Sequence, residues 1–267
     1  MTDAHCHLFD LIDFLPDLEG GLEKRAAACA ASSWNLKQFE FHKKLAKEAQ
    51  RKGLPALIQS FGIHPQLPSD RELFSALKNE LLRLLEKLPA EGRLGAIGET
   101  GFDLFDQKNR ETEKNQDELF LLHIQTAVKY SLPLVIHARR AMHKIFPFSK
   151  DLKKLPAVIF HSWPGTCGEG EALIRRGINV FFSFGAAVVN NHREAIRCAA
   201  AFPADRLLLE TDAPYQPVRG RAFSSFEDLP VICRTIAALR KEAGLSGRTP
   251  EELEAMTDSN FFKAFSP

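Results

Sequence analysis

Leu134-Val135-Ile136-His137 is a run of three apolar residues closed by a histidine, and Ala157-Val158-Ile159-Phe160-His161 repeats the pattern further along. A strand with one wet face alternates apolar and polar residues. A short continuous apolar run instead reads as a strand covered on both faces, as in a parallel sheet between helices. Working outward from these two, six more runs read as strands: one around His5 and His7, then 25–32, 56–61, 94–98, 179–184 and 207–209. Amphipathic patterns between them predict helices over 35–52, from 69, over 116–130, 168–176 and 190–202, and from 226 and 249. Ser69 is expected to cap the second of these. Thr249-Pro250-Glu251-Glu252 reads as a capping box with proline at the first helical position. Eight strands alternating with helices predict a single (β/α)8 TIM barrel spanning 1–267, with a doubly wound open sheet as the runner-up.

The totals agree with a soluble globule: 267 residues, 45% apolar and 26% charged. A formal charge of +1 supplies no global field to recruit nucleic acid or membrane, so a polyanion would need a local patch or metal. Five cysteines without regular spacing do not form a disulfide framework and suit a reducing compartment. With no basic stretch ahead of an apolar one at the start, and no apolar run near the roughly 20 residues a spanning helix needs, the expectation is a cytoplasmic protein without a membrane segment.

In such a barrel the site lies at the C-terminal ends of the strands. The polar residues closing the strand runs are His5 and His7, His64, Glu99, His137, His161 and Asp212, which would share one mouth. Residues i and i+2 of a strand point the same way, so His5 and His7 can face one object while Cys6 turns away. Taken singly, Glu99 reads as a solvated loop acid and Asp212 as a helix cap; their joint placement reverses that. Nitrogen and oxygen donors without sulfur suit Mg, Mn or Zn, and two ions would use about six protein ligands. The remaining histidines, His42, His123, His143 and His192, read as solvated or partly packed helix residues.

Together, Asp3-Ala4-His5-Cys6-His7, Gly62-Ile63-His64-Pro65, Gly98-Glu99-Thr100-Gly101-Phe102-Asp103, Pro133 through Arg139, His161 and Glu210-Thr211-Asp212-Ala213-Pro214-Tyr215 resemble the TatD family of metal-dependent deoxyribonucleases, within the amidohydrolase-like barrels. Asp258-Ser259-Asn260-Phe261-Phe262 also resembles that family's closing segment. The resemblance implies that His5, His7 and Asp212 hold one divalent ion, His137 and His161 a second, and that Glu99 bridges them. Asp212 would accept a proton from the attacking water, and His64 would contact a phosphate oxygen or orient a ligand. No strand run ends in lysine, which separates the chain from barrels that bridge their metals through a carboxylated lysine.

A phosphate-binding rim is expected from Arg139, Arg140, His143 and Lys144 and from Arg219 and Arg221, with Tyr215, Phe102 and Trp163 available to stack on bases. The match departs from the family pattern at Thr100-Gly101-Phe102, at Ser162-Trp163-Pro164-Gly165 and after Arg219-Gly220. Those departures bear on substrate. The expected activity is phosphodiester hydrolysis of DNA, single-stranded or at ends, with no obligate protein partner. The alternatives are ester, lactone or amide hydrolysis with the same ions, and a metal-holding scaffold without turnover.

Overall fold

The computed structural model describes residues 1–16, 28–53 and 56–265. Eight parallel strands lie in sequence order: β1 Thr2–Cys6, β2 Ala28–Ser33, β3 Ala56–Phe61, β4 Ala96–Asp103, β5 Leu134–Arg139, β6 Val158–Phe160, β7 Val180–Phe184 and β8 Leu207–Leu209. The longer helices are α1 Leu36–Arg51, α2 Arg71–Ala90, α3 Glu113–Tyr130, α4 Cys167–Arg175, α5 Arg193–Ala201, α6 Leu229–Glu242 and α7 Pro250–Phe265. The sheet curls into a nearly closed barrel. At the seam the Asp212 amide donates to the His5 carbonyl (2.9 Å) and the His7 amide to that of Ala213 (2.7 Å). Below them the buried Asp3 carboxylate takes both the amide and the hydroxyl of Thr211, at 3.0 and 2.6 Å.

The strands bury both faces, as their continuous apolar runs require. Leu134, Ile136, Val158, Phe160 and Phe182 join the larger core shared with the helices. The alternate residues Val135, Ile159, Phe181 and Leu208 join a second cluster with Ala4, Ala28, Ala30 and Ala96, closed by Phe261 and Phe265 of α7. His137 lies two residues after Val135 and His161 two after Ile159. The period of two thus carries both imidazoles to the side of the strands that Val135 and Ile159 occupy.

Four expectations change. The fourth strand does not stop at Gly98 but runs to Asp103, pairing with β5 from Thr100 opposite Ile136 to Asp103 opposite Arg139 after an irregularity. Gly98 and Gly101 adopt φ of +132° and +134°, open to glycine alone, and a Cβ on Gly101 would collide with the His137 carbonyl. Glu99 therefore sits inside a strand. The cap of α2 is Asp70, whose carboxylate accepts the Leu73 amide at 3.0 Å, while Ser69 donates its hydroxyl to the Gln66 carbonyl. At α7 the Thr249 hydroxyl accepts the Glu252 amide, but the Glu252 carboxylate reaches back to Arg248 instead of closing a box on Thr249. Positions 25–27 of the second predicted strand lie outside the described residues.

The fourth change concerns two histidines. His143 and His192 are exposed, but His42 and His123 are fully buried. The His42 ring bonds the Ser33 hydroxyl (2.7 Å) and accepts the Phe9 amide (3.2 Å). His123 spans the Leu119 carbonyl (2.6 Å) and the Ile63 amide (2.8 Å), tethering the turn after β3 to α3. Burial lowers their pKa to about 3 and about 4. Below the ordinary value near 6.5 the unfolded chain takes up these protons and the folded chain does not. Each residue thus contributes stability above that value, lost as pH falls toward 3 and 4, at about 1.4 kcal/mol per pH unit. Urea titrations between pH 7 and 4 should show a falling midpoint, and His123→Gln should flatten the slope. A pH-independent difference between the two proteins would contradict this account.

Candidate metal centre

Glu99 stands at the centre of the barrel mouth, 4% exposed. Its Oε1 lies 2.8 Å from His137 Nδ1, 2.9 Å from His161 Nε2 and 3.3 Å from His64 Nε2. Its Oε2 lies 3.3 Å from His5 Nε2 and 3.7 Å from His7 Nε2. Asp212 faces the same two rings from the other side, with Oδ1 3.3 Å from His7 and 3.7 Å from His5. β1, β5, the interior of β4 and the residues just past β1, β3, β6 and β8 supply these groups. All seven strand-end residues expected at one mouth are brought together there.

The donor set fits divalent metal. His5 and His7 point their Nε2 atoms at each other across 3.1 Å, and His137 Nδ1 and His161 Nε2 do the same across 3.1 Å. Facing ring nitrogens beside carboxylates are the arrangement an ion between them requires. Three sets have donors mutually within 4.8 Å: His5, His7 and Asp212; His5, Glu99 and His161; and His64, Glu99 and His137. His64 differs from the rest in one respect. Its Nδ1 accepts the Gln66 amide at 3.2 Å, which places the proton on Nε2, facing Glu99. In that tautomer His64 is a donor to oxygen.

Burial alone would push the Glu99 carboxyl up, but His161, His64 and His5 around it hold it well below the carboxylate range. Asp212, likewise buried, is held at about 2 by His7, His161 and His5. Burial opposes charge on His161 and His137 too; Glu99 with Glu210 raises the first well above its ordinary value, and Asp103 with Glu99 raises the second. His5 is lowered, by burial and by His161 alongside. Asp212 holds φ at +54°, strained for a residue with a side chain and fixed by the seam bond to His5.

A cavity of about 720 Å³ opens over these groups, and Arg139, Lys108, Tyr215 and Trp34 line it. Arg139 is exposed and stacks on the Phe105 ring at 3.6 Å. Tyr215, about half exposed, meets the edge of His7 and donates its hydroxyl to Asp10 (3.1 Å). Other residues expected at the rim are engaged elsewhere. Lys144 turns to Glu113 (2.7 Å) and Asp117 (2.9 Å), and Arg221 is tied to the buried Asp228 at 2.6 Å. Arg219 is exposed outside the cavity lining, and its amide anchors the loop on Asn190. Phe102 and Trp163 are core residues, the first against Phe120 and Phe148, the second against Phe160, Phe182 and Phe202. Both are buried, so neither offers a face to a base.

The sequence pattern does not single out Asp103, Gln66, Glu210 or Trp34. Asp103 and Glu210 stood within the quoted motifs, but nothing local shows which ring a carboxylate will face. Glu210 is fully buried, accepts the Ser162 amide at 2.6 Å and lies 3.7 Å behind His161 Nδ1.

The model of the TatD related DNase family matches residues 2–266. A metal-dependent hydrolase of Escherichia coli K12, YcfH, is 29% identical over 99% of this chain and 95% of its own. The 3'-5' ssDNA/RNA exonuclease TatD of Cronobacter sakazakii is 32% identical over 76% of this chain and 75% of its own. Among solved structures, YjjV, a TatD homologue from Escherichia coli K12, superposes with a TM-score of 0.81 at 25% identity, covering 100% of this chain and 98% of that one.

Because His161 and His137 hold protons above the usual imidazole range beside Glu99, metal uptake must displace them. Affinity for a divalent ion is expected to rise with pH, with proton release on binding. Calorimetry in buffers of different ionisation enthalpy checks this; binding heats independent of the buffer would contradict it.

Proposed function

The chain belongs to the TatD-related DNase family, and from that premise we propose a two-metal hydrolase that cleaves phosphodiester bonds of DNA, single-stranded or at ends, with one domain over 1–267. The observation that carries this reading is Glu99, a carboxylate whose two oxygens face two separate groups of ring nitrogens. In this reading His5, His7 and Asp212 would hold one ion, His137 and His161 the other, with Glu99 contributing to both; the chemistry supplied when they are bound would be a lowered water pKa and neutralised charge on phosphate oxygens.

The remaining work falls to the chain itself. Asp212 stays ionised under the influence of His7, His161 and His5, so it can accept a proton from the attacking water near neutral pH. His64, with its proton on Nε2, can donate to a phosphate oxygen. Arg139 lies over the Phe105 ring with no carboxylate partner among the described residues, so its guanidinium fork is open to phosphate. Tyr215 and Trp34 offer aromatic faces to splayed bases, which favours single strands and ends over an intact duplex. No helix among the described residues is long and apolar enough to cross a membrane.

The test is hydrolysis of an end-labelled single-stranded oligonucleotide, beside its duplex, by chelator-stripped protein refilled with Mg, Mn or Zn. Cleavage should require metal and fall on the order of 10²- to 10³-fold in Glu99→Ala and in Asp212→Asn. Arg139→Ala should raise KM about tenfold with kcat nearly unchanged, the signature of lost uniform binding. Intact oligonucleotide with every metal, while carboxyl esters are hydrolysed, would overturn the DNase reading.

A further inference from the structure

We propose that Asp103, steadied by Gln66, is a positioning residue that fixes His137 in the Nε2–H tautomer and so presents its Nδ1 lone pair to a divalent ion. This deepens the metal-holding part of the function proposed above. The His137 ring has a carboxylate at each nitrogen: Nδ1 faces Glu99 at 2.8 Å in the cluster, and Nε2 faces Asp103 Oδ2 at 3.2 Å, away from it. A neutral imidazole carries one proton. Placed on Nε2 it satisfies Asp103 and leaves the Nδ1 lone pair turned to Glu99 and His161, where a divalent ion would be held; placed on Nδ1 it would satisfy Glu99 and occupy the ligand position.

Asp103 is built to hold that choice. It is fully buried at the last position of β4, directly opposite Arg139 of β5. Its Oδ2 also accepts the Gln66 side-chain amide at 2.7 Å, and its Oδ1 the Phe105 amide at 2.9 Å. The Gln116 side chain grips its backbone at both ends, accepting the amide (2.9 Å) and donating to the carbonyl (3.2 Å). Gln66 and Phe105 are both donors, the environment of an ionised carboxylate, and an ionised Asp103 offers His137 Nε2 acceptor oxygens alone. Gln66 meanwhile orients His64 through its backbone amide, so one residue sets two rings of the cluster. Among the described residues the neighbouring His161 lacks an equivalent: Glu210 lies 3.7 Å behind it, beyond hydrogen-bond range, and His161 Nδ1 has no hydrogen-bond partner there. A carboxylate behind a ligating histidine fixes ring and tautomer, and its loss commonly costs 10- to 100-fold in metal affinity.

Two readouts independent of turnover test the role. The first is the tautomer of His137 in metal-free wild type, read from its ring ¹⁵N shifts at a pH where the ring is neutral. Nε2–H is expected, and a predominant Nδ1–H form overturns the proposal without any variant having to fold. The second is Zn affinity by competition with a chromophoric chelator for wild type, Asp103→Ala, Asp103→Asn and Gln66→Ala. Asp103→Ala should bind the weaker of its ions 10- to 100-fold less tightly. Asp103→Asn, which keeps an acceptor oxygen, should recover part of that loss, and Gln66→Ala should lose less than Asp103→Ala. Folded variants with affinities within twofold of wild type overturn this role alone. Wild-type protein that holds no divalent ion overturns the proposed function with it.

Discussion

One buried negative charge organises the mouth of this barrel. A carboxylate as enclosed as Glu99 is tolerated only among partners that compensate its lost hydration, and here five imidazoles from β1, β5 and the ends of β3 and β6 converge on its two oxygens. The backbone of β4 makes that position available. Two glycines at positive φ bend the strand so that Glu99 enters the mouth while the next residues resume pairing with β5 as far as Asp103. The same strand thus delivers the central carboxylate and, four residues later, the carboxylate that stands behind His137. Loss of either glycine would disturb both.

Closure at the seam is the second condition. β1 and β8 are joined near the mouth by two backbone bonds and by the Asp3 carboxylate on Thr211. Those bonds run through His5, His7, Asp212 and Ala213, so the residues that close the barrel are also the ones that gather one group of donors. Stability of the seam and geometry of the site rest on the same few hydrogen bonds. Arg240 performs the matching task away from the mouth: fully buried, it donates to the carbonyls of Ala199 and Phe202 at the end of α5 and to Ser246, tying α6 to its neighbour.

Much of this was legible in the sequence because it is one-dimensional. Ala56–Phe61 and Leu207–Leu209 match their apolar runs end to end, and the strand-end histidines announce themselves by following such runs. Failures came where a residue's meaning depends on a distant partner. Gly98 looked like a strand end, although the register with β5 carries the strand past it. His42 and His123 sit on helix faces that pattern alone cannot distinguish from solvated ones; their partners Ser33, Phe9 and Ile63 come from other parts of the fold. Phe102 and Trp163 lay within the motifs but fill the core, and Lys144 followed β5 but found acids on α3. Asp103 was in plain view, yet only the pairing of β4 with β5 shows which ring it faces.

The proposed hydrolase requires two divalent ions sharing Glu99. The most direct measurement is a crystal structure of the protein loaded with Mn or Zn, with anomalous difference density collected at the metal edge. Two peaks about 3.5 to 4 Å apart, with the Glu99 carboxylate between them, are the predicted result. A single peak, or two peaks that leave Glu99 outside both coordination spheres, would contradict it.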